Sequence, residues 1–185
     1  MRLKEMLKAA KMKKHNFPHE AISQFEDIMQ YDEADWKNVC DSVEYKFVSK
    51  MDELLTEEQR LLLHEYGGSC RGGETGRQAK VLAQKLAGKP LAEKIELMNQ
   101  NDHMYRTQLN DDGTITAFCG CHCLQRRIKK PETAKLPSAY GCAAGAALYN
   151  LKTALGVSAK IKSIDYPKEG DGKETMTFIF EIAAS

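Results

Sequence analysis

The sequence predicts an α+β fold in which a helical region precedes an antiparallel sheet of β-hairpins with one packed helix. Apolar residues recur at steps of three and four through roughly the first hundred residues, which is typical of amphipathic helices. The turn-forming run from Asn110 to Gly113 separates two short apolar stretches, which is typical of a hairpin. Near the end of the chain, a strand with one buried face is predicted by the alternation of Met176, Phe178, Phe180 and Ile182.

The helices are indicated by their start and stop signals. Pro18 begins one helix, and an apolar stripe over residues 36–54 predicts a longer one. Thr56 followed by Gln59 forms a capping box for the next helix, which the glycines at 67–68 end. We expect this helical region to cover residues 1–100.

Residues 101–185 predict the order β-β-α-β-β, packed as one compact unit with the helices. The expected elements are strands over 103–109 and 114–119, a helix from the N-cap Ser138 to Leu155, and strands over 157–166 and 174–182. Gly156 is expected to end the helix. A chain of 185 residues fits one domain, or one domain with a helical extension.

The charges of the chain are nearly balanced, since 27 Lys and Arg oppose 26 Asp and Glu for a formal net charge of +1. An extended nucleic-acid surface needs a clear basic excess, so we expect no nucleic-acid partner. The basic N-terminal stretch lacks the apolar segment and cleavage site of a secretory signal. No stretch approaches the roughly 18 apolar residues of a membrane span. We therefore expect a soluble, cytoplasmic protein.

The chemistry is expected at the thiols of the CGCHC segment. Cys119, Cys121 and Cys123 alternate after a predicted strand, and alternate side chains of a strand are about 6.6 Å apart. Zinc ligands lie closer together, at about 2.3 Å from the ion, so the chain must curl, and Gly120 permits a bend. His122 is a further potential ligand. A cysteine cluster in a reducing compartment favours metal binding or catalysis over disulfides, and three small core residues are the alternative.

The other cysteines are interpreted from their surroundings. Cys142 falls in the first turn of the helix after Ser138, where the helix dipole favours a thiolate. The small residues around it equally predict tight helix–sheet packing. Cys70 lies in a glycine-rich loop, where a functional thiol and a tolerated loop residue are both open. Cys40 lies on the apolar stripe of its helix and is assigned to the core.

Several other polar groups are assigned to ordinary structural roles. His64 and His103 could assist a nucleophile, but neither lies in a recognisable catalytic motif, so we expect surface or capping positions. The basic run over 126–130 could bind an anion, although a solvated connector is expected. The glycines over 72–76 lack the spacing of a phosphate-binding motif.

The order of four segments resembles an uncharacterised cysteine-rich bacterial family, a domain of unknown function: TEEQRLLLHEYGGSC, CGCHC, AYGCAAGAALYNLKTALGV and the final FIFEI strand. The resemblance covers roughly residues 50–182. The last segments are also distantly similar to vinyl-reductase-type domains and aminothiazoline-carboxylate hydrolase relatives, which enclose a small-ligand pocket. The resemblance implies a site at Cys70, Cys119, Cys121, Cys123 and Cys142. The chain departs from the family pattern because residues 175–180 contain no cysteine and Ala143-Ala144 stands where a second cysteine often follows Cys142.

Three functions are consistent with these residues. The leading hypothesis is a protein that binds zinc, iron or a small ligand through Cys119, Cys121, Cys123 and Cys142, with Cys70 and His122 in reserve. The second is a thiol hydrolase or transferase that acts on a small molecule through Cys142 or Cys121, with a histidine as base. The third is a small-ligand sensor with an apolar pocket between the Gly/Ala-rich helix and the hairpins, like the vinyl-reductase-type domains.

Overall fold

The computed structural model describes residues 1–30, 42–68, 73–119, 131–166 and 175–183, and it confirms the α+β architecture. Helices form the part before residue 100, and the strands of the described ranges form one antiparallel sheet of four. A long helix near the C-terminal end of the chain packs against one face of this sheet.

Six α-helices precede the first strand in the described ranges. They are α1 Leu3–Ala10, α2 His19–Ile28, α3 Val43–Leu54, α4 Glu57–Gly67, α5 Glu74–Lys85 and α6 Leu91–Asn99. The predicted capping box opens α4, since Thr56 Oγ1 accepts from the Gln59 amide and the Gln59 side chain accepts from the Thr56 amide. Across the described ranges, no helix combines the length and the apolar composition that crossing a bilayer requires.

The second part of the chain has the predicted order of strands and helix. Its elements are β1 Arg106–Leu109, β2 Ile115–Cys119, the short α7 Pro131–Ala134, a 3-10 turn Pro137–Tyr140, α8 Gly141–Leu155, β3 Ala159–Asp165 and β4 Met176–Ile182. The strand order is β1-β2-β4-β3, with every neighbouring pair antiparallel. Gly156 ends α8 in the left-handed conformation, as predicted, with φ of 69°.

Two hydrophobic clusters stabilise the described part of the chain. One joins the inner face of the sheet to α5, α6 and α8, and it includes Phe178, Phe180 and Leu151. The other joins α1, α2 and α3, where the rings of Phe25 and Phe47 stack with centroids 4.3 Å apart. Helix α4 contributes to both clusters, so it lies between the N-terminal helices and the sheet.

Two predicted helix starts are wrong. The helix expected over 36–54 begins only at Val43, because Ser42 has extended dihedrals and its hydroxyl caps the Tyr45 amide; residues 31–41 lie outside the described ranges. Ser138 is not an N-cap either. It lies in the 3-10 turn before α8, and its amide and hydroxyl both donate to Asp52 instead.

Candidate functional site

Cys119 is the last residue of β2 and is buried on the inner face of the sheet. Its neighbours on that face along the strand are Ile115 and Ala117, and all three belong to the cluster that contains α8. The register pairs Cys119 with Met176, the first residue of β4. The thiol therefore lies at the end of the sheet where β2 ends and β4 begins. It directly precedes the interval that holds Cys121 and Cys123.

The start of α8 lies at the same end of the sheet. Strand β3 ends there, because Asp165 pairs with Thr177 of β4. The ring of Tyr166, the next residue, stacks on Tyr140 with centroids 5.3 Å apart and planes inclined by 13°. Tyr140 immediately precedes α8. The ends of β2 and β3 are separated only by β4, which corresponds to about 10 Å across two strand spacings.

Cys142 is the second residue of α8 and is buried, with 7% of its surface exposed. Helical side chains rotate by about 100° per residue, so Cys142 is turned by about 200° from Ala144. Ala144 packs in the sheet cluster and Cys142 is outside it. Cys119 therefore belongs to the cluster between the sheet and α8, and Cys142 lies on a different side of the helix.

The small residues around Cys142 let α4 approach α8 very closely. A Cβ atom added at Gly141 would overlap the imidazole ring of His64, and one added at Gly145 would overlap the His64 carbonyl oxygen. A Cβ atom at Gly68 would overlap the backbone at Ala146. The tight packing predicted as one alternative is therefore present, but it is packing of helix on helix.

His64 is a residue of this region whose position the sequence analysis predicted wrongly. Its surface is 2% exposed, where a surface or capping histidine was expected, whereas His103 is exposed. The side chain lies on the face of α4 that meets α8, and its ring lies against Gly141, the residue before Cys142. The sequence signal for this position is the pair of glycines four residues apart in α8. Such a pair leaves a groove on the helix surface, into which a neighbouring helix can place a bulky side chain.

A polar network fixes the turn that leads into α8. The amide of Ser138 donates to both carboxylate oxygens of Asp52 at 3.2 Å, and its hydroxyl donates to Oδ1 at 2.7 Å. Arg60 Nε lies 3.6 Å from the same Oδ1. Burial raises the pKa of Asp52 above its usual range, and the hydrogen bonds from Ser138 and the charge of Arg60 act against that rise. The carboxyl group thereby links α3, α4 and the start of α8.

A cavity of about 130 Å³ lies between α4, this turn and the end of β3. The buried side chains of His64 and Ser138 form part of its wall. The arrangement can hold a small molecule next to the first turn of α8. The other lining residues are Glu57, Arg60, Leu61, Pro137, Ile164 and Tyr166.

Three of the five predicted thiol ligands lie outside the described residues, namely Cys70, Cys121 and Cys123, as do His122, Cys40 and the basic run over 126–130. Among the described residues, no group of three or more His, Cys, Asp or Glu side chains is arranged to hold a metal ion. The described thiols are Cys119 and Cys142, so the predicted cluster stays a prediction. Gly68, which contacts α8, immediately precedes the interval that holds Cys70.

Comparisons with known proteins give no assignment, because neither a protein-family model nor a curated protein matches the chain. The resemblance to the cysteine-rich bacterial family therefore stays a prediction as well.

Proposed function

We propose that this chain binds zinc, iron or a small ligand through thiols gathered around the first turn of α8. The observation that carries the proposal is that Cys119 ends β2 at the same end of the sheet where the stacked rings of Tyr140 and Tyr166 connect the end of β3 to the start of α8. Thiolates bind such soft metals strongly, and binding keeps them deprotonated. Cys119 and Cys142 are the proposed ligands among the described residues; because they lie on different sides of α8, they can share one ion only across the N-terminal end of the helix.

The positions of the remaining thiols in the sequence support the same location. Cys121 and Cys123 follow Cys119 by two and four residues, and Cys70 follows Gly68 by two. Since two residues of chain reach at most about 7 Å, a ligand set that includes Cys70 needs no long excursion from Gly68. A thiol site of this kind fits a reducing compartment, and we infer a cytoplasmic location.

The metal content of the purified protein tests this function. The protein is purified without oxygen, and zinc and iron are measured per chain for the wild type and for a variant with serine at 70, 119, 121, 123 and 142. We expect close to one ion per chain in the wild type and a loss of most of it in the variant. Cys40→Ser is the matched control and should keep the wild-type content. Sub-stoichiometric metal that is the same in all three proteins rules the site out.

A second candidate function is a thiol hydrolase or transferase with Cys142 as the nucleophile. The observation that favours it is the imidazole of His64, which lies against Gly141, next to Cys142 in the chain. A buried imidazole near a thiol can accept its proton and raise its reactivity. The cavity that His64 lines would then hold the substrate.

The alkylation rate of each cysteine near neutral pH tests the second candidate. We expect Cys142 to react much faster than the other thiols and to slow markedly in His64→Gln. His103→Gln, which changes an exposed histidine, is the control and should leave the rate unchanged. Uniformly slow labelling of all six cysteines would exclude a nucleophilic thiol and leave the metal-binding proposal untouched.

A further inference from the structure

Arg60 is held in a fixed position on the wall of the cavity beside His64. Its Nη1 donates to the Leu55 carbonyl oxygen at 3.4 Å, and its Nε lies 3.6 Å from Asp52 Oδ1. The side chain is only 22% exposed. In the part of the chain that the structure describes, its Nη2 has no hydrogen-bond partner. A guanidinium group with its position fixed and donors to spare is suited to bind a carboxylate.

The charges around the cavity limit the charge of its ligand. Among the described lining residues, Arg60 supplies the guanidinium cation and Glu57 an exposed carboxylate, while Asp52 lies behind Ser138. A ligand with two negative charges would bring the second close to Glu57 or Asp52, where like charges repel. The wall therefore complements a single negative charge better than a phosphate or a dicarboxylate.

The rest of the wall is suited to a short apolar group. Leu61, Pro137, Ile164 and the ring of Tyr166 supply apolar surface. The volume of about 130 Å³ is below the roughly 300–1,000 Å³ of pockets for drug-sized ligands, so it suits a small molecule. We propose that this cavity binds a small monocarboxylate with a short apolar body, and that Arg60 recognises its carboxylate. This inference is independent of the metal-binding proposal, because none of the residues that carry it is a cysteine; the second candidate function would use the same cavity for its substrate.

Binding of butyrate and of its neutral isostere butyramide tests the proposal. Each is titrated into the full-length protein while amide shifts are followed by NMR. We expect butyrate to shift the amides of Ser138, Ile164 and Tyr166 in a saturable manner, and butyramide to bind at least tenfold more weakly. Inorganic phosphate should also bind at least tenfold more weakly than butyrate. Equal binding of the acid and the amide, or shifts confined to residues away from the cavity, would overturn the proposal.

Two arginine variants test whether Arg60 binds the carboxylate of the ligand. Arg60→Gln should weaken butyrate binding at least tenfold. Arg77→Gln is the matched control, because Arg77 is 71% exposed on α5 and its ion pair is with Glu74. Unchanged butyrate affinity in a folded Arg60→Gln protein contradicts the role of Arg60. If that variant does not fold, the comparison of butyrate with butyramide on the wild-type protein decides the question.

Discussion

The two halves of α8 are built differently although they belong to one continuous helix. The first half, residues 141–147, consists of glycine, alanine and Cys142. It packs so closely on α4 that a Cβ atom at Gly145 would overlap the backbone of α4. The second half, residues 148–155, carries large apolar side chains such as Leu148, Leu151 and Leu155, which pack in the sheet cluster. The first half therefore lets another helix approach closely, and the second half fills the core.

This difference explains why the candidate site lies at the first half of α8. Burial of the large apolar side chains of the second half stabilises the fold by about 25 cal/mol per Å² of apolar surface. The first half has little such surface, but its missing side chains make room for the His64 ring against Gly141. The network of Asp52 and Ser138 then fixes the turn that starts the helix. The candidate site is thus located where the helix, although buried, has the smallest apolar side chains.

The largest effect is expected in the second half of the helix. Leu151→Ala removes a side chain that is 1% exposed and leaves a cavity in the sheet cluster, so the free energy of unfolding should fall by about 2–5 kcal/mol. Urea unfolding with an unchanged m-value checks this. Metal content per folded chain should stay at the wild-type level; a loss of metal in this variant would erase the distinction between the halves.

Substitutions of the two glycines of the first half should behave differently from each other. Gly141→Ala and Gly145→Ala should each lower the free energy of unfolding by about 1–3 kcal/mol because α4 is too close for a Cβ atom. The overlap at Gly141 is with the His64 ring, so the cost of Gly141→Ala should shrink in a His64→Ala background. The overlap at Gly145 is with backbone, so the cost there should persist. A double-mutant cycle measures both, and equal behaviour at the two glycines would refute the close approach described for His64.

Removing the carboxyl group that fixes the start of α8 should destabilise the fold by a similar amount. Asp52→Ala leaves the amide and hydroxyl of buried Ser138 without their acceptor, so the free energy of unfolding should fall by about 1–3 kcal/mol. Asp52→Asn keeps an acceptor and should cost less than Asp52→Ala. Urea unfolding of both variants checks the order, and the reverse order would contradict the hydrogen bonds to Ser138.

Asn150 is a polar exception in the second half of the helix. It is fully buried, and within the described ranges its side-chain nitrogen and oxygen have no hydrogen-bond partner. Asn150→Leu should therefore leave the free energy of unfolding unchanged or raise it by up to about 2 kcal/mol. Thermal and urea unfolding test this. A clear loss of stability would mean that the second half also holds a polar contact that matters.

The smallest effect concerns pH. The raised pKa of Asp52 means that the folded chain keeps its proton at pH values where the unfolded chain, with a pKa near 3.8, has lost it. The free energy of unfolding should then fall as pH rises from about 3.8 through the raised pKa. Burial raises the pKa of Glu65 as well, so it adds a slope of the same sign. Asp52→Asn should flatten the slope in part, and a steeper slope in that variant would contradict the direction given for Asp52.

Local signals in the sequence predicted much of the fold. The capping box at Thr56, the left-handed Gly156 and the alternation of Met176, Phe178 and Phe180 each depend on residues close in the chain, and the structure confirms all of them. The start of α8 was predicted wrongly because Ser138 bonds to Asp52, a residue 86 positions away. No local pattern reports such a contact.

The candidate site was predictable only in part for the same reason. Cys119 at the end of a strand and Cys142 in the first turn of a helix follow from local patterns. The burial of His64 depends on two glycines more than 70 residues later in the chain, so its place against α8 could be found only from the tertiary structure. The positions of Arg60 at the cavity and of Asp52 behind it were not predicted either. Charged residues on a helix have the same spacing in sequence whether they face solvent or line a cavity.

X-ray absorption at the metal edge of the anaerobically purified protein tests the central claim most directly. A thiol site around the first turn of α8 predicts three or more sulfur neighbours at about 2.3 Å from the ion, and one fewer in Cys142→Ser than in Cys40→Ser. A first shell of nitrogen and oxygen alone, the same in both variants, would contradict the account.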